Sequence, residues 1–599
     1  MRYIRPQETT NATDLGVSLR SKRVWTSGYL LSSVLLAAIL SFLVIKTVAK
    51  IEDKYLETHR VFLDCIVYQK HLFDLWLASH HASRFQLAWN EIINPVDGGE
   101  IPPLAFRTIP IILLNPEWLK DPHAHLITSG FSLFVFLCLL LRTVYRRTGS
   151  FSYACAAAIL TCTVPAIYDP MWGLGAFWLD FSAGFIGGAA ALCLINARRG
   201  ENGLAWLGGF AILAAATLLS RFVTGVYLLV QGAPILLIYF LDRWRKTRSF
   251  LNSVVVPIAL ISGILLFLTG PYIWGQTSSQ MLYYTELSYD YKDVLSSAQF
   301  VLNTTLYFFG HDFLLFCFCI FLCQVLFAFR VRWRGLSETV WLAIAQGVFL
   351  TITCEITVAF HAMEYSLPIL LFAFLCPIDW RPVAPERGDG RANEARPAQW
   401  HLALSLGLTV FACFSINRAL HERLWNPPKP PPEEVDKKQF YDRATEELMR
   451  NYPDKTISAY FDLFDIYFFV IDFERFNHVP MQIPDCIFDV RDTELKAHFP
   501  GKTPTELASA AYQQALQRSD IVLVFDDPAT AFKETPFDYG ANLNPYSEEI
   551  AFRMAAQLKS DPGWRKLFVL PSRYMVGGVA AYANLRLFPQ AGFEGPLSR

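Results

Sequence analysis

Long apolar runs recur along the chain and constrain its fold more than any other feature. A helix needs roughly 20 apolar residues to cross the hydrocarbon core of a bilayer. About eleven runs approach or exceed that length, at residues 24–48, 124–141, 151–167, 177–195, 204–219, 222–241, 250–270, 312–329, 339–360, 366–378 and 399–416. Hydrophobic residues make up 53% of the 599, and the mean hydropathy is +0.29. The sequence therefore predicts a mainly α-helical, polytopic membrane protein.

Cations alternate between the loops and indicate an orientation. The polar stretch before the first run ends in Arg20, Lys22 and Arg23. The loops that would share its side of the membrane carry Arg142, Arg146, Arg147, Arg198, Arg199, Arg243, Arg245, Lys246, Arg248, Arg330, Arg332, Arg334, Arg381, Arg387, Arg391 and Arg396. Because cytoplasmic loops are enriched in Lys and Arg, the N-terminus is predicted to be cytoplasmic. The first long loop and everything after about Arg418 then lie outside. Since we see no retention signal, a bacterial inner membrane is favoured over a eukaryotic endomembrane.

The pattern divides the chain into four parts. A cytoplasmic tail, 1–23, precedes a transmembrane domain, 24–417, whose first outer loop, 50–123, is amphipathic enough for helices lying in the membrane interface. A proline-rich linker, 418–437, leads to an outer-side domain, 438–599. Helix-like and strand-like stretches alternate there, which predicts a small α/β fold, at 440–451, 456–461, 521–525, 548–558 and 566–570. We see neither a glycine-rich phosphate loop nor a nucleophile elbow, so a structural or acceptor-binding role is expected for this domain.

The first run ends in an acidic pair, Glu52 and Asp53, where a helix meets water. Lys54, His59 and Arg60 follow within two helical turns. A carboxylate at a low-dielectric boundary can act as a general base, and neighbouring cations can hold an anion. The alternative is a helix end that extends its charges into the lipid headgroups.

Further ionisable residues fall at or near bilayer depth on the same side. Asp169 and Asp180 bracket the third and fourth runs, Arg221 lies in a tight turn between two runs, and His361 and Glu364 share one segment. His123 and His125 precede the second run. Such groups are costly in a membrane, so each is a functional candidate, although each could also fasten two helices together. Together they suit a phosphate-bearing amphiphile, since cations would bind the phosphate and a carboxylate would take a proton.

Metal and nucleic-acid signals are weak. Ten of the 12 Cys lie inside apolar runs, and we find no metal-ligand spacing. Asp169, Asp180 and the acidic pair could still converge on a divalent cation, so the metal requirement stays open. The formal net charge of −1 indicates no nucleic-acid partner.

The order of several short motifs resembles a known family. Glu52-Asp53 directly follows the first span, with Tyr55 close behind, and Asp180 lies at the fourth span. The other landmarks are Ile101-Pro-Pro-Leu104, Leu218-Leu-Ser-Arg221, Glu364-Tyr-Ser-Leu-Pro368 and Ala580-Ala-Tyr-Ala-Asn584. This layout resembles the GT-C fold of integral-membrane glycosyltransferases, in particular the protein mannosyltransferase, aminoarabinose transferase and rhizobial lipopolysaccharide transferase branch. The acidic pair is reversed relative to the family, Arg221 replaces a lysine, and Glu364 replaces an arginine.

The resemblance implies a reaction and a set of roles. The donor would be a sugar on a polyprenyl phosphate, used on the outer face for cell-envelope glycan synthesis, with inversion at the anomeric carbon. Asp53, with Glu52 as second choice, would deprotonate a hydroxyl of a lipid, glycan or protein acceptor. Arg221, Lys54, Arg60 and His59 would bind the donor phosphate. The expected substrate-binding residues are Asp180, Asp169, His361, Glu364 and Tyr365. A lipid or solute transporter, such as a flippase, and a non-catalytic GT-C-like scaffold remain alternatives.

Overall fold

A computed structural model describes more than half of the chain in detail. The described residues are 12–56, 71–93 without 73, 105–121, 123–170, 173–199 without 176–178, 203–286, 396–452 without 428, 455–460, 516–530, 545–570 and 578–588, with isolated positions at 306, 311, 312, 315, 319, 506 and 513.

Ten helices make up most of the described residues that precede residue 421. They are α1 (Ala12–Leu56), α2 (Arg84–Ile93), α3 (Ala105–Leu114), α4 (Ala124–Thr148), α5 (Phe151–Thr161), α6 (Leu179–Arg199), α7 (Gly203–Ser220), α8 (Phe222–Thr247), α9 (Val256–Glu286) and α10 (Arg396–Leu420). Short 3₁₀ segments at Pro116–Lys120 and Pro165–Tyr168 and π-turns at Leu251–Val255 and His421–Trp425 connect or extend them.

Five helical stretches in the described part are long and apolar enough to cross a membrane. They are Gly28–Tyr55, Ala124–Arg146, Gly203–Ser220, Leu251–Tyr272 and Leu402–Trp425. Each coincides with a run found in the sequence. The count of about eleven spans is not confirmed. Among the described runs, 151–167 and 177–195 correspond to shorter apolar helices, Phe151–Thr161 and Phe181–Ala197, and 222–241 is not among the five. The runs at 339–360 and 366–378, and nearly all of 312–329, lie outside the described residues.

Helix α6 forms the centre of the bundle and packs between α4, α7 and α8. Small residues on α6 let neighbouring backbones approach closely, as is usual between membrane helices. Two buried hydrogen bonds fix α6 against α4. The Ser129 and Ser182 hydroxyls are 2.8 Å apart, and Asn196 Nδ2 donates to Thr143 Oγ1 at 2.7 Å. These bonds hold α4 in place beneath the loop that precedes it.

Helix α1 packs against α4 along one side only. Val48 and Ile51 are buried on that side, whereas Leu31 and Phe42 are mostly exposed on the other. An apolar surface of this kind suits contact with lipid tails. The packing on α4 decides which residues at the end of α1 face the protein.

Helix α10 packs against α5 and against the 3₁₀ turn that follows α5. Ser415 Oγ donates to the carbonyl of Thr163 at 2.8 Å. The π-turn continues the helix to Trp425, and helix α11 (Pro432–Asn451) begins soon afterwards. Helices therefore occupy both ends of the predicted linker. Proline is compatible with the first turn of a helix, because the N–H it lacks has no partner there.

The C-terminal elements include a four-stranded mixed sheet. Strands β1 (Ile457–Tyr460), β2 (Ile521–Phe525), β3 (Trp564–Leu570) and β4 (Val579–Asn584) lie in the order β1-β2-β4-β3. The β1–β2 pair is parallel, and β4 is antiparallel to both of its neighbours. Helix α12 (Pro545–Ser560) packs on β2 and β3. Strands β1, β2 and β3 occur where strand-like stretches were predicted, and β4 covers the Ala580–Asn584 landmark of the resemblance. A separate outer-side domain stays a prediction.

Candidate functional site

The acidic pair occupies the last turn of α1. Successive helical residues point about 100° apart, so Glu52 and Asp53 cannot face the same way. Glu52 turns towards the protein with 6% of its side chain exposed. Asp53 turns outwards with 66% of its side chain exposed. The two carboxylates are therefore not equivalent, and only Asp53 offers an open approach to a dissolved or membrane-bound reactant.

His123 lies between the two carboxylates, at the position that precedes α4. Its Nδ1 is 3.1 Å from Glu52 Oε2, and its Nε2 is 2.9 Å from Asp53 Oδ1. Its backbone N–H donates to Asp121 Oδ1 at 2.8 Å, which fixes the turn before α4. One imidazole ring thus joins the end of the first span to the start of the next described span.

The pKa of His123 responds to these contacts. The hydrogen bond to Glu52 is the largest cause and raises the pKa of His123 from 6.5 to about 9, against the opposing effect of burial and with further help from Asp53. The cation is favoured because carboxylate oxygens accept hydrogen bonds and attract positive charge. The site is therefore two carboxylates bridged by an imidazolium at neutral pH.

A short glycine-containing loop covers the buried carboxylate. His125 Nε2 bonds to the carbonyl of Gly175 at 2.9 Å and fixes this loop against α4. A Cβ on Gly175 would lie 2.8 Å from Val48 Cγ1 and 3.3 Å from Glu52 Oε2. Gly173 is packed more tightly, since its Cβ would lie 2.3 Å from the carbonyl oxygen of Asp169. Glycine at both positions lets the loop close over Glu52.

Asp169 has a structural partner. It is buried, and its Oδ2 is 2.9 Å from Nη2 of Arg423 in the π-turn after α10. This pair fastens the end of α10 to the turn after α5. Asp169 therefore fits the alternative interpretation, in which an ionisable group fastens two helices together.

The remaining sequence candidates are only partly described. Lys54 is exposed beside Asp53. Arg221 is 7% exposed and lies directly before α8, in the extended backbone conformation of a helix cap. Asp180 is the second residue of α6, but its side chain is outside the described set. His59, Arg60, His361, Glu364 and Tyr365 also lie outside the described residues.

The sequence indicated His123 as a candidate but predicted no role for it. The signal was present, because two histidines open the second apolar run on the side of the membrane predicted for the acidic pair. A second buried network gave no sequence signal. In it, Glu91 Oε2 accepts from Thr108 Oγ1 at 2.9 Å and lies 3.0 Å from His71 Nε2. Within the described ranges, no group of three His, Cys, Asp or Glu side chains could hold a metal ion.

Comparison with known proteins identifies the fold. No family model matches the sequence, and no curated protein matches it either. The structure is similar to the apo crystal structure of ArnT, an aminoarabinose transferase, from Cupriavidus metallidurans. The TM-score is 0.53 at 12% identity, over 95% of this chain and 99% of that one.

The same ArnT bound to undecaprenyl phosphate gives a TM-score of 0.51 at 12% identity, over 93% of this chain and 98% of that one. A weaker similarity, with a TM-score of 0.42 at 13% identity, covers 96% of this chain and 75% of the oligosaccharyltransferase AglB from Archaeoglobus fulgidus. ArnT has the GT-C fold. The chain therefore shares the GT-C fold that the order of its motifs indicated.

Proposed function

We propose that this protein is a membrane glycosyltransferase that moves a sugar from a polyprenyl phosphate to an acceptor hydroxyl. The observation that carries the proposal is the exposed carboxylate of Asp53 in the last turn of α1, where His123 holds it. The fold shared with ArnT supports it, because that protein has been solved with undecaprenyl phosphate bound. A hydroxyl acceptor needs a base, and a lipid-linked donor needs a site at the membrane surface.

Asp53 is proposed as the base. The acceptor O–H bond breaks as its proton passes to the Asp53 carboxylate, and the acceptor oxygen bonds to the anomeric carbon. The bond from that carbon to the phosphate oxygen breaks on the opposite side, which inverts the anomeric centre. The polyprenyl phosphate leaves with the electron pair. Glu52 is second choice, because only 6% of its side chain is exposed.

The leaving phosphate gains negative charge and needs cations near it. Arg221 is proposed for this task, since a guanidinium can hold a phosphate through two parallel hydrogen bonds. Lys54 supports it from the turn that bears Asp53, and His59 and Arg60 would follow on the same segment. Asp180, His361, Glu364 and Tyr365 are proposed substrate contacts. The ion pair of Asp169 favours a structural role for that residue.

The proposed setting is the bacterial inner membrane, crossed several times. The N-terminal tail lies in the cytoplasm, and the acidic pair and the C-terminal sheet lie outside. Support comes from the five candidate spans and from the alternation of cationic loops. The sheet and its helices would then cap the site and help to select a lipid, glycan or protein acceptor.

Transfer in reconstituted liposomes tests the proposal. Wild type, Asp53→Asn and Glu52→Gln would be offered polyprenyl phosphates carrying radiolabelled sugars, together with a bacterial envelope extract as the acceptor. Loss of a general base typically lowers the rate roughly 10²–10⁴-fold, so Asp53→Asn should lose nearly all transfer. Asp442→Asn, an exposed carboxylate on α11, is the matched control and should keep full activity.

Other results of the transfer assay would change the assignment of the base or of the function. Full activity in Asp53→Asn with loss in Glu52→Gln would move the base to Glu52. Movement of the lipid across the bilayer without sugar transfer would support a flippase instead. No transfer and no polyprenyl phosphate detected by mass spectrometry in the purified protein would refute the proposed function and leave the scaffold reading.

A further inference from the structure

His123 makes two contacts that a neutral histidine cannot make together as hydrogen bonds to carboxylates. A neutral imidazole has one N–H, whereas the imidazolium has two, and an ionised carboxylate can only accept. Both ring nitrogens lie within 3.1 Å of a carboxylate oxygen. We propose that His123 is a positioning residue that, as the imidazolium, holds the exposed base Asp53 in place by tying it to the buried carboxylate of Glu52. This inference rests on the proposed function.

The charged groups around the ring favour this arrangement. Helix α1 presents Glu52 and Asp53 to it, while Lys54 is exposed on the same turn. In the turn before α4, Asp121 accepts from the backbone N–H of His123. The covering loop contributes the backbone of Gly175, which is bonded to His125 rather than to the ring of His123. The raised pKa of His123, about 9, agrees with a ring that stays charged at neutral pH.

The two carboxylates then have different tasks. Glu52 is buried beside Gly175 and therefore provides a fixed point for Nδ1. Asp53 is two-thirds exposed, and an exposed side chain on a helix end ordinarily samples several rotamers. The bond from Nε2 restricts Asp53 to one of them. Precise placement of a base matters, because a misplacement of about 1 Å can lower a rate roughly 10²-fold.

Two amide substitutions separate these contacts. The amide nitrogen of glutamine can approach the place of Nε2 and bond to Asp53, whereas that of the shorter asparagine approaches the place of Nδ1 and bonds to Glu52. We expect His123→Asn, which releases Asp53, to lower kcat roughly 10²-fold, and His123→Gln, which keeps the contact to Asp53 but loses the anchor on Glu52, to lower it clearly less, with little change in KM in either variant. Equal loss in both variants would overturn the positioning role.

The pH profile supplies a readout that simple misfolding would not produce. Above pH 9, His123 keeps a single N–H. We expect the buried contact with Glu52, which is the largest cause of the raised pKa, to retain it, so that Asp53 is released. Wild-type kcat should therefore fall as the pH rises through about 9. The glutamine variant cannot titrate at this position, so its profile should lack that fall. A fall of the same size in both would refute the inference.

A measurement without substrate separates this inference from the proposed function. Histidine-selective ¹⁵N NMR of the full chain in nanodiscs would follow each ring, with the His123 signal assigned by its loss in His123→Gln. We expect its titration near pH 9 in wild type and at least one unit lower in Glu52→Gln. The exposed His81 is the control site, and His81→Gln should leave the signal near 9 unchanged.

The two measurements distinguish the two failures. Titration of His123 near the ordinary histidine value of about 6.5, with transfer intact, would refute the positioning role of His123. The proposed transferase function would be unaffected. Titration near 9 in a protein that transfers no sugar from any donor would refute the transferase, although the bridged acidic pair would remain.

Discussion

The bridge formed by His123 should make the folded protein more stable at neutral than at alkaline pH. The pKa of His123 is raised from 6.5 to about 9 by folding. A raised pKa gives stabilisation that is fully present below pH 6.5 and is lost as the pH rises through 9. The difference of about 2.5 units corresponds to at most roughly 3 kcal/mol. Since Asp53 is largely exposed, water screens part of its interaction with His123. We therefore expect a stabilisation of about 2 kcal/mol.

Unfolding in detergent micelles at a series of pH values between 6 and 10 measures this quantity. Intrinsic tryptophan fluorescence reports the transition in wild type and in His123→Gln. The free energy gap between the two proteins should be largest near pH 6 and should close by about 2 kcal/mol towards pH 10. His81→Gln should show no comparable change in its gap to wild type. A constant gap across the range would refute the reasoning, because it would mean that folding does not change the protonation of His123.

Three further predictions concern the surroundings of the site. Gly175→Ala places a methyl group against the buried acidic side chain and should lower transfer and cost roughly 1–3 kcal/mol in unfolding free energy, whereas Gly208→Ala, which meets nothing within 4 Å, should change neither. Asp169→Ala and Arg423→Ala should show a coupling energy of about 1–2 kcal/mol in a double-mutant cycle by thermal unfolding, and strict additivity would contradict the ion pair. Glu91→Ala removes a carboxylate that is 3% exposed and should destabilise the packing of α2 against α3 by roughly 1–3 kcal/mol, which hydrogen exchange of residues 84–93 would detect.

The sequence predicted the features that depend on local pattern. Apolar length located the described candidate spans, and the predicted GT-C layout agrees with the fold. The position of Glu52 and Asp53 at the end of the first apolar helix was also predictable. Their unequal burial was not, because it depends on how α1 rotates against α4. Nothing within α1 itself sets that rotation.

Contacts between residues that are distant in the sequence could not be predicted either. His123 is distant in sequence from the carboxylates that it bridges, and Arg423 is more distant still from Asp169. From the sequence, Asp169 and Asp53 looked alike, since both are acids next to an apolar run. They differ in their tertiary contacts, because Asp169 is buried against the guanidinium of Arg423, whereas Asp53 contacts the imidazole of His123 and is otherwise exposed.

The strand order of the sheet has a consequence for the biogenesis of the protein. β4 is the latest of the described strands in the chain, yet it lies between β2 and β3, and all six of its residues are buried. β2 therefore leaves the ribosome long before its antiparallel neighbour exists. With the topology proposed above, the edge of β2 opposite β1 stays unpaired outside the membrane until β4 has crossed, so we expect this edge to need protection by a periplasmic chaperone until that strand arrives. A chain that stops before residue 579 should then be cleared by envelope proteases, even with every membrane span in place.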